Sequence, residues 1–183
     1  MYRHEHEPVT LTRDVEAIMV PAGIPVTLRE GKTGFITQAL GGSFTVYVEG
    51  NLFRIAGKDA DALGKQPPEP IELPDNAGDE DVERAIWQQL RTCFDPEIPV
   101  NVVDLGLVYD VSLERRADDR RTVYVKMTLT APGCGMGDIL VDDVRSKLEM
   151  MPTVEEADVD LVFDPPWNHS MMSDAAKLET GML

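Results

Sequence analysis

A chain of 183 residues with 33 acidic and 17 basic side chains carries a formal charge of −16, which repels a phosphate backbone and argues against nucleic-acid binding. Its apolar content suits one sizeable core or two small ones, yet no stretch approaches the roughly 18 to 20 apolar residues needed to cross a bilayer. Two cysteines are too few for a disulfide scaffold, so a reducing cytoplasm is the expected location, with a Cys93–Cys134 bridge left open.

The first residues, Met1 to Pro8, show neither the basic start nor the apolar run of a secretory signal. His4 and His6 read as surface residues of a ragged terminus. From Val9 to Ile55 the chain is β-rich and broken by glycine, with strands expected over 24–28, 33–38, 44–48 and 52–55. Gly50-Asn51 reads as a hairpin turn and Gly41-Gly42 as a second break. Residues 1–65 are therefore expected to form a small β-rich unit without a cluster of chemically active side chains.

Pro67, Pro68, Pro70 and Pro74 remove backbone donors and restrict the residues before them, so 66–78 reads as an extended acidic linker. Beyond it, Val82, Ala85, Ile86 and Leu90 recur at helical spacing behind an acidic first turn, and the helix should end near Cys93. Two alternating segments, 107–113 and 123–129, read as an antiparallel pair that turns its Val123, Val125, Met127 and Leu129 face inward. The arginines at 115, 116, 120 and 121 surround the tip of this pair and read as a solvated turn. A second helix is expected just after Gly137, with Ile139, Leu140, Val144 and Leu148 on one face and Pro152 ending the run. A third strand should follow from about 154 to 163, with Ala157, Val159, Leu161 and Phe163 inward. The order α-β-β-α-β predicts a two-layer α+β domain over residues 79–183, its helices on one face of a mixed or antiparallel sheet.

Three polar loops interrupt this pattern. In the first, Asp95 to Leu107, the side chains of Asp95, Glu97, Asn101 and Asp104 either hold the loop themselves or form a polar rim beside a thiol or metal. The second, Thr130 to Gly137, places Cys134 between two glycines at the start of a helix. Unpaired amides and the helix dipole favour a thiolate there, and the missing side chains leave room around the sulfur. The loop lacks the Gly-Lys-Ser/Thr ending of a phosphate loop and is no Cys-x-x-Cys site. In the third, Pro165-Pro166 stiffens the exit of the last strand, so that Trp167 is expected as a lid over that end of the domain. His169 is either a structural histidine or a neighbour of Cys134, and Cys93 is a candidate second ligand. Two cysteines and one histidine are too few for a closed single-chain zinc or four-iron site, so one exposed thiolate per chain invites a ligand set shared across a homodimer, or brief contact with the donor of an iron–sulfur cluster.

Asp95-Pro96-Glu97-Ile98, Val103-Asp104-Leu105-Gly106-Leu107-Val108, Thr130-Ala131-Pro132-Gly133-Cys134 and Asp164-Pro165-Pro166-Trp167, in this order, resemble the hallmark segments of the metal–sulfur cluster biosynthetic domain of PaaD-like proteins. Residues 172–178 look like that family's closing helix. Pro21-Ala22-Gly23, residues 38–46 and Asp61-Ala62-Leu63-Gly64 are similar to the N-terminal extension of the bacterial SufT family. Many relatives carry proline after the cysteine, where this chain has Gly135. The resemblance implies a non-enzymatic accessory factor of iron–sulfur cluster assembly in the SUF system. It also implies Cys134 as the functional cysteine, with assembly proteins and apo-protein clients as partners. Maturation of a ring-hydroxylating oxygenase, a thiol-dependent enzyme using Cys134 and His169, and a purely structural interaction module are the competing readings.

Overall fold

The glycine-punctuated N-terminal stretches fold into six strands: β1 (Glu7–Thr10), β2 (Val15–Val20), β3 (Ile24–Leu28), β4 (Thr33–Leu40), β5 (Ser43–Val48) and β6 (Asn51–Ile55). The computed structural model describes residues 6–20, 22–40, 43–67, 69, 71–95, 98, 100–131 and 137–181. Gly41 and Gly42, read above as a break point, lie outside them. The chain divides into two compact units, Met1–Glu69 and Pro70–Leu183.

In the first unit the strands form one sheet in the order β1-β4-β5-β6-β2-β3, every neighbouring pair antiparallel. Period-two alternation sends Val46, Phe53 and Ile55 to a buried face. That face packs with Ala60, Ala62 and Leu63 of a 3-10 segment, Gly57–Leu63, which the sequence pattern did not disclose. The segment is fastened by Thr12 N–H to the Ala62 carbonyl at 2.9 Å and by the Arg13 guanidinium, which forks onto Asp61 and reaches Asp59 at 3.0 Å. The tight turn between β5 and β6 is Glu49-Gly50, one residue earlier than expected, because Asn51 is already paired with Val48. Both turn residues have positive φ, 51° and 88°, the twist a two-residue hairpin loop needs. On the opposite face a cross-strand row runs Pro8, Phe35, Tyr47, Leu52, Val20, and Phe35 and Tyr47 remain exposed.

The second unit is built from α1 (Asp79–Leu90), β7 (Val108–Arg115), β8 (Arg121–Met127), α2 (Gly137–Glu149), β9 (Val154–Leu161) and α3 (Asp174–Glu179). The α+β expectation and the α-β-β-α-β order hold, with a sheet ordered β7-β8-β9. β7 and β8 pair antiparallel, whereas β8 and β9 pair parallel through the α2 crossover. The α1 residues Val82, Ala85, Ile86 and Leu90 are buried together with Leu140, Val144 and Leu148 of α2. Gln89 and Lys147 tie the helices by donating to the carbonyls of Lys147 and Thr92 at 2.9 and 2.7 Å. α1 starts where the carboxylate of Asp81 accepts the Gly78 N–H at 3.0 Å, with Asp79 and Glu80 also in the first turn, where the helix dipole favours negative charge. Ile71, Leu73 and Ala77, within the proline-rich stretch, pack against this same core. β9 stops at Leu161, and Phe163, expected inside, is 47% exposed because it lies beyond the last paired residue.

One charged residue departs from the solvated turn expected at 114–121. Arg121 is 1% exposed, since alternation along β8 puts it on the same face as Val123, Val125 and Met127. Its guanidinium donates to Asp79 Oδ1 at 2.8 Å, to Thr153 Oγ1 at 3.1 Å and to the carbonyl of Ala77 at 3.4 Å. It thereby joins the start of α1 to the sheet. The hydrogen bond from Arg121, opposed by slight desolvation and assisted by the charge of Arg115, holds the Asp79 carboxyl below its ordinary value. A carboxylate whose folded-state value is depressed stabilises the fold above the ordinary carboxylate range, and that contribution is lost as the pH falls through the folded value. Arg121→Ala is expected to cost about 2 to 4 kcal/mol in urea denaturation. Asp79→Asn should lower the melting temperature at neutral pH and flatten its decline below about pH 5, where the native chain loses this contribution.

Candidate functional site

The first loop is fastened largely by its own backbone. Val102 N–H donates to the Cys93 carbonyl at 2.9 Å and Asp95 N–H to the Val100 carbonyl at 3.2 Å, closing a short antiparallel bridge between Phe94 and Asn101. Val100, Val102, Leu105 and Leu107 are thereby driven into the core. Asp95, 7% exposed, accepts the Ile98 N–H on Oδ1 at 2.9 Å. Asn101 and Asp104 form a reciprocal pair in which Asn101 Oδ1 accepts the Asp104 N–H at 2.9 Å and Asn101 Nδ2 donates to Asp104 Oδ2 at 2.6 Å. Asp95 and Asp104 thus both shape the loop's turns. Glu97 lies outside the described residues.

The third loop returns to the first. Trp167 Nε1 donates to the Leu105 carbonyl at 2.6 Å, and Ser173 N–H donates to the Asp104 carbonyl at 2.8 Å. Tyr109 Oη donates to the Pro165 carbonyl at 2.7 Å. Local pattern does not single out Tyr109, and Ser173 reads only as part of the closing helix until its partner is known. Gly106 has φ +77°, and a Cβ there would lie 2.3 Å from the Met171 carbonyl oxygen, so only glycine allows the two backbones this approach. The His169 side chain is exposed, with its ring edge-on to Trp167 at 5.1 Å between centroids. Met172 and Ala176 anchor the far side of the segment in the core. Trp167 is half-buried and packed against that core.

The second loop is the cysteine loop, and Cys134, with the rest of 132–136, lies outside the described residues. Its borders are placed. Thr128 N–H donates to the Leu107 carbonyl at 2.8 Å, and Val162 N–H to the Met127 carbonyl at 2.8 Å. Leu129 packs against Gly137, the first residue of α2. The residues Val108, Met127 and Leu161 pair in one row across β7, β8 and β9. The first loop therefore enters, and the second and third leave, at the same end of the sheet. Cys93 is elsewhere in character: it is fully buried in the apolar core, with its sulfur 3.9 Å from the Gln89 carbonyl. Among the described residues no group of three or more His, Cys, Asp or Glu side chains is arranged to hold a metal ion, and no helix is long and apolar enough to cross a membrane.

Residues 83–159 match a family model described as an iron–sulfur cluster assembly protein. A Fe–S protein maturation auxiliary factor from Porphyromonas gingivalis is 50% identical over 101 residues, spanning 55% of this chain and 92% of that protein. The Fe–S protein maturation auxiliary factor SufT of Staphylococcus aureus is 41% identical over 89 residues, 49% of this chain and 97% of the relative. The crystal structure of a domain of unknown function, DUF59, from Bacillus anthracis superposes with a TM-score of 0.50 at 36% identity, covering 57% of this chain and 95% of that one.

Two substitutions separate the backbone contact from the side-chain contact that join the loops. Gly106→Ala is expected to destabilise the second unit by about 2 to 4 kcal/mol, because the obstructing atom is backbone. Trp167→Phe keeps most of the ring and loses one N–H donor, so its cost in the same urea titration should be about 1 kcal/mol.

Proposed function

Since this chain belongs to the family of Fe–S protein maturation auxiliary factors, a non-catalytic class with an accessory role in iron–sulfur cluster assembly, we propose that it holds or hands over a cluster through Cys134. The cluster in this reading is cargo, not a resident cofactor. The partners are cluster-assembly proteins of the SUF system on one side and apo-protein clients on the other, and the location is the cytoplasm. The SufT-like branch is supported in this reading by the N-terminal sequence motifs quoted above.

The observation that carries the proposal is the meeting of the loops at one end of the β7-β8-β9 sheet, where Trp167 is bonded to Leu105 and Ser173 to Asp104. Cys134 stands in sequence between the end of β8 and the first turn of α2. A thiol at that position gains from the partial positive charge of a helix start, which favours the thiolate that iron requires. A lone soft ligand suits a cargo that must leave, since a closed set of four would retain it. Two chains contributing one thiolate each give half of such a set, and a donor or client protein supplies the remaining ligands. Glu97, Asp104 and His169 belong in this reading to the rim that surrounds the thiolate and meets the client, with Asp95 holding the turn behind it.

The test is anaerobic transfer of a cluster, reconstituted on the full chain with ferrous iron and sulfide, to an apo-acceptor. Loss of groups that merely orient metal ligands costs about 10- to 100-fold in metal affinity, so Cys134→Ser should reduce iron and sulfide content and transfer rate by at least about tenfold. Native content and rate in this variant would refute Cys134 as the ligand. Its secondary structure by circular dichroism should be unchanged.

A further inference from the structure

The first unit carries a second apolar surface besides its core. The row from Pro8 through Phe35, Tyr47 and Leu52 to Val20 crosses five strands on the face turned away from the buried side chains. Phe35 and Tyr47 are each 44% exposed and Leu52 39%. Beside it a second row on the same face runs Gln38, Thr45, Arg54, Ile18, Pro25. Ten neighbouring positions thus hold a single charge, that of Arg54, in a chain where 27% of the residues are charged. At strand and residue spacings the two rows cover about 24 Å by about 14 Å. An exposed apolar patch of roughly 300 Å² is the size that on a monomer often serves as a contact site.

Three features choose its occupant. The edge strands β1 and β3 carry Pro8 and Pro25, which have no N–H to offer an added strand, so association edge to edge is disfavoured and the face remains. Residues 1–69 hold 9 acidic and 7 basic side chains, net −2, whereas 70–183 hold 24 and 10, net −14. The first unit is therefore where two copies of so acidic a chain repel each other least. The row is also self-complementary, because β5 lies at its middle with two strands of the row on either side. A two-fold axis along β5 sets Tyr47 against the second copy's Tyr47, Phe35 against its Leu52 and Pro8 against its Val20. The same rotation lays Gln38 beside its Arg54, so the lone cation meets an amide and not another guanidinium. Every position of the first row then has a partner, as an isologous contact requires.

We propose that this face of the first unit docks a second copy of the chain, sheet on sheet, with β5 on the two-fold axis. Sheets packed in this way lie about 10 Å apart with their strands within about 30° of alignment, and the facing rings of Tyr47 suit an offset stack. The footprint is at the small end for specific interfaces, so the dimer is expected to dissociate in the micromolar range. The inference stands without the cluster reading, and it gives that reading the second chain that a shared ligand set calls for.

The experiment follows the mass of the full chain by sedimentation equilibrium from about 1 to about 300 μM, without metal and with a thiol reductant. The native chain is expected to pass from monomer to dimer, and Cys134→Ser to follow it. Tyr47→Lys sets like charges against each other on the axis and should weaken dimerisation at least about 100-fold. Phe35→Lys and Leu52→Glu should each weaken it. The chain carrying both, in which opposite charges face each other twice across the axis, should dimerise more tightly than either alone. These side chains are exposed, so each variant measured as monomer should melt within a few degrees of the native chain. Thr45→Lys, on the same axis, takes the place of Tyr47→Lys if that variant melts early. The inference is overturned if the native chain stays monomeric throughout, as it would with another part of the chain or a different protein on this face. It is overturned too if the axis variant dimerises like the native chain, or if the double variant is no tighter than the single ones. Loss of the dimer in Cys134→Ser also overturns it, by placing the contact at the thiol. Cluster transfer enters none of these readings, so the role proposed for Cys134 stands or falls separately.

Discussion

The parallel pairing of β8 with β9 is the constraint on which the functional end of this molecule depends. A parallel pair needs a crossover, and α2 supplies it. The geometry then forces both strands to finish at the same end. β7, antiparallel to β8, begins there. The roots of three loops far apart in sequence come to the same end of the sheet as a result, before any loop–loop contact is considered. The indole of Trp167 on Leu105 and the Ser173 amide on Asp104 then fasten an encounter that the strand directions have arranged.

The two halves of the second unit are stabilised by different means. At the loop end the bonds run mostly from side chain or amide to backbone carbonyl, so the chain's path matters more than the chemistry of most side chains there. At the opposite end a buried guanidinium gathers Asp79, Thr153 and Ala77 around itself. Such an arrangement tolerates little change, because a buried cation deprived of acceptors is worse than an apolar residue in its place. The core between the ends, from Val82 on α1 through Val125 on β8 to Val144 on α2, is almost entirely aliphatic.

Much of this was legible in the sequence where periodicity is strong. Val82, Ala85, Ile86 and Leu90 marked α1, and the alternation of Val123, Val125 and Met127 marked β8 and its inward face. β1 and β2 were harder to see. Pro8 breaks the pattern of β1, as suits an edge strand, and Ala17-Ile18-Met19-Val20 is an unbroken apolar run that announces neither period. Arg121 was misread because a charged residue beside other arginines suggests a solvated turn, and only the strand register reveals that it faces inward. The polar loops were visible as departures from the pattern. Their mutual contacts were not, since Tyr109, Gly106 and Ser173 acquire meaning only from partners some 60 residues away.

The packing of Ile71, Leu73 and Ala77 against the second core makes the shared region and the folding unit different lengths. The region recognised across the family begins at residue 83, partway along α1. A fragment trimmed to that border would discard the first turn of the helix, the carbonyl and carboxylate that neutralise Arg121, and three apolar side chains from the flank of the core. It would also stop short of Met172 and Ala176 at the other margin. The stretch that the family model matches is thus a kernel, and this protein packs further chain against that kernel from both sides.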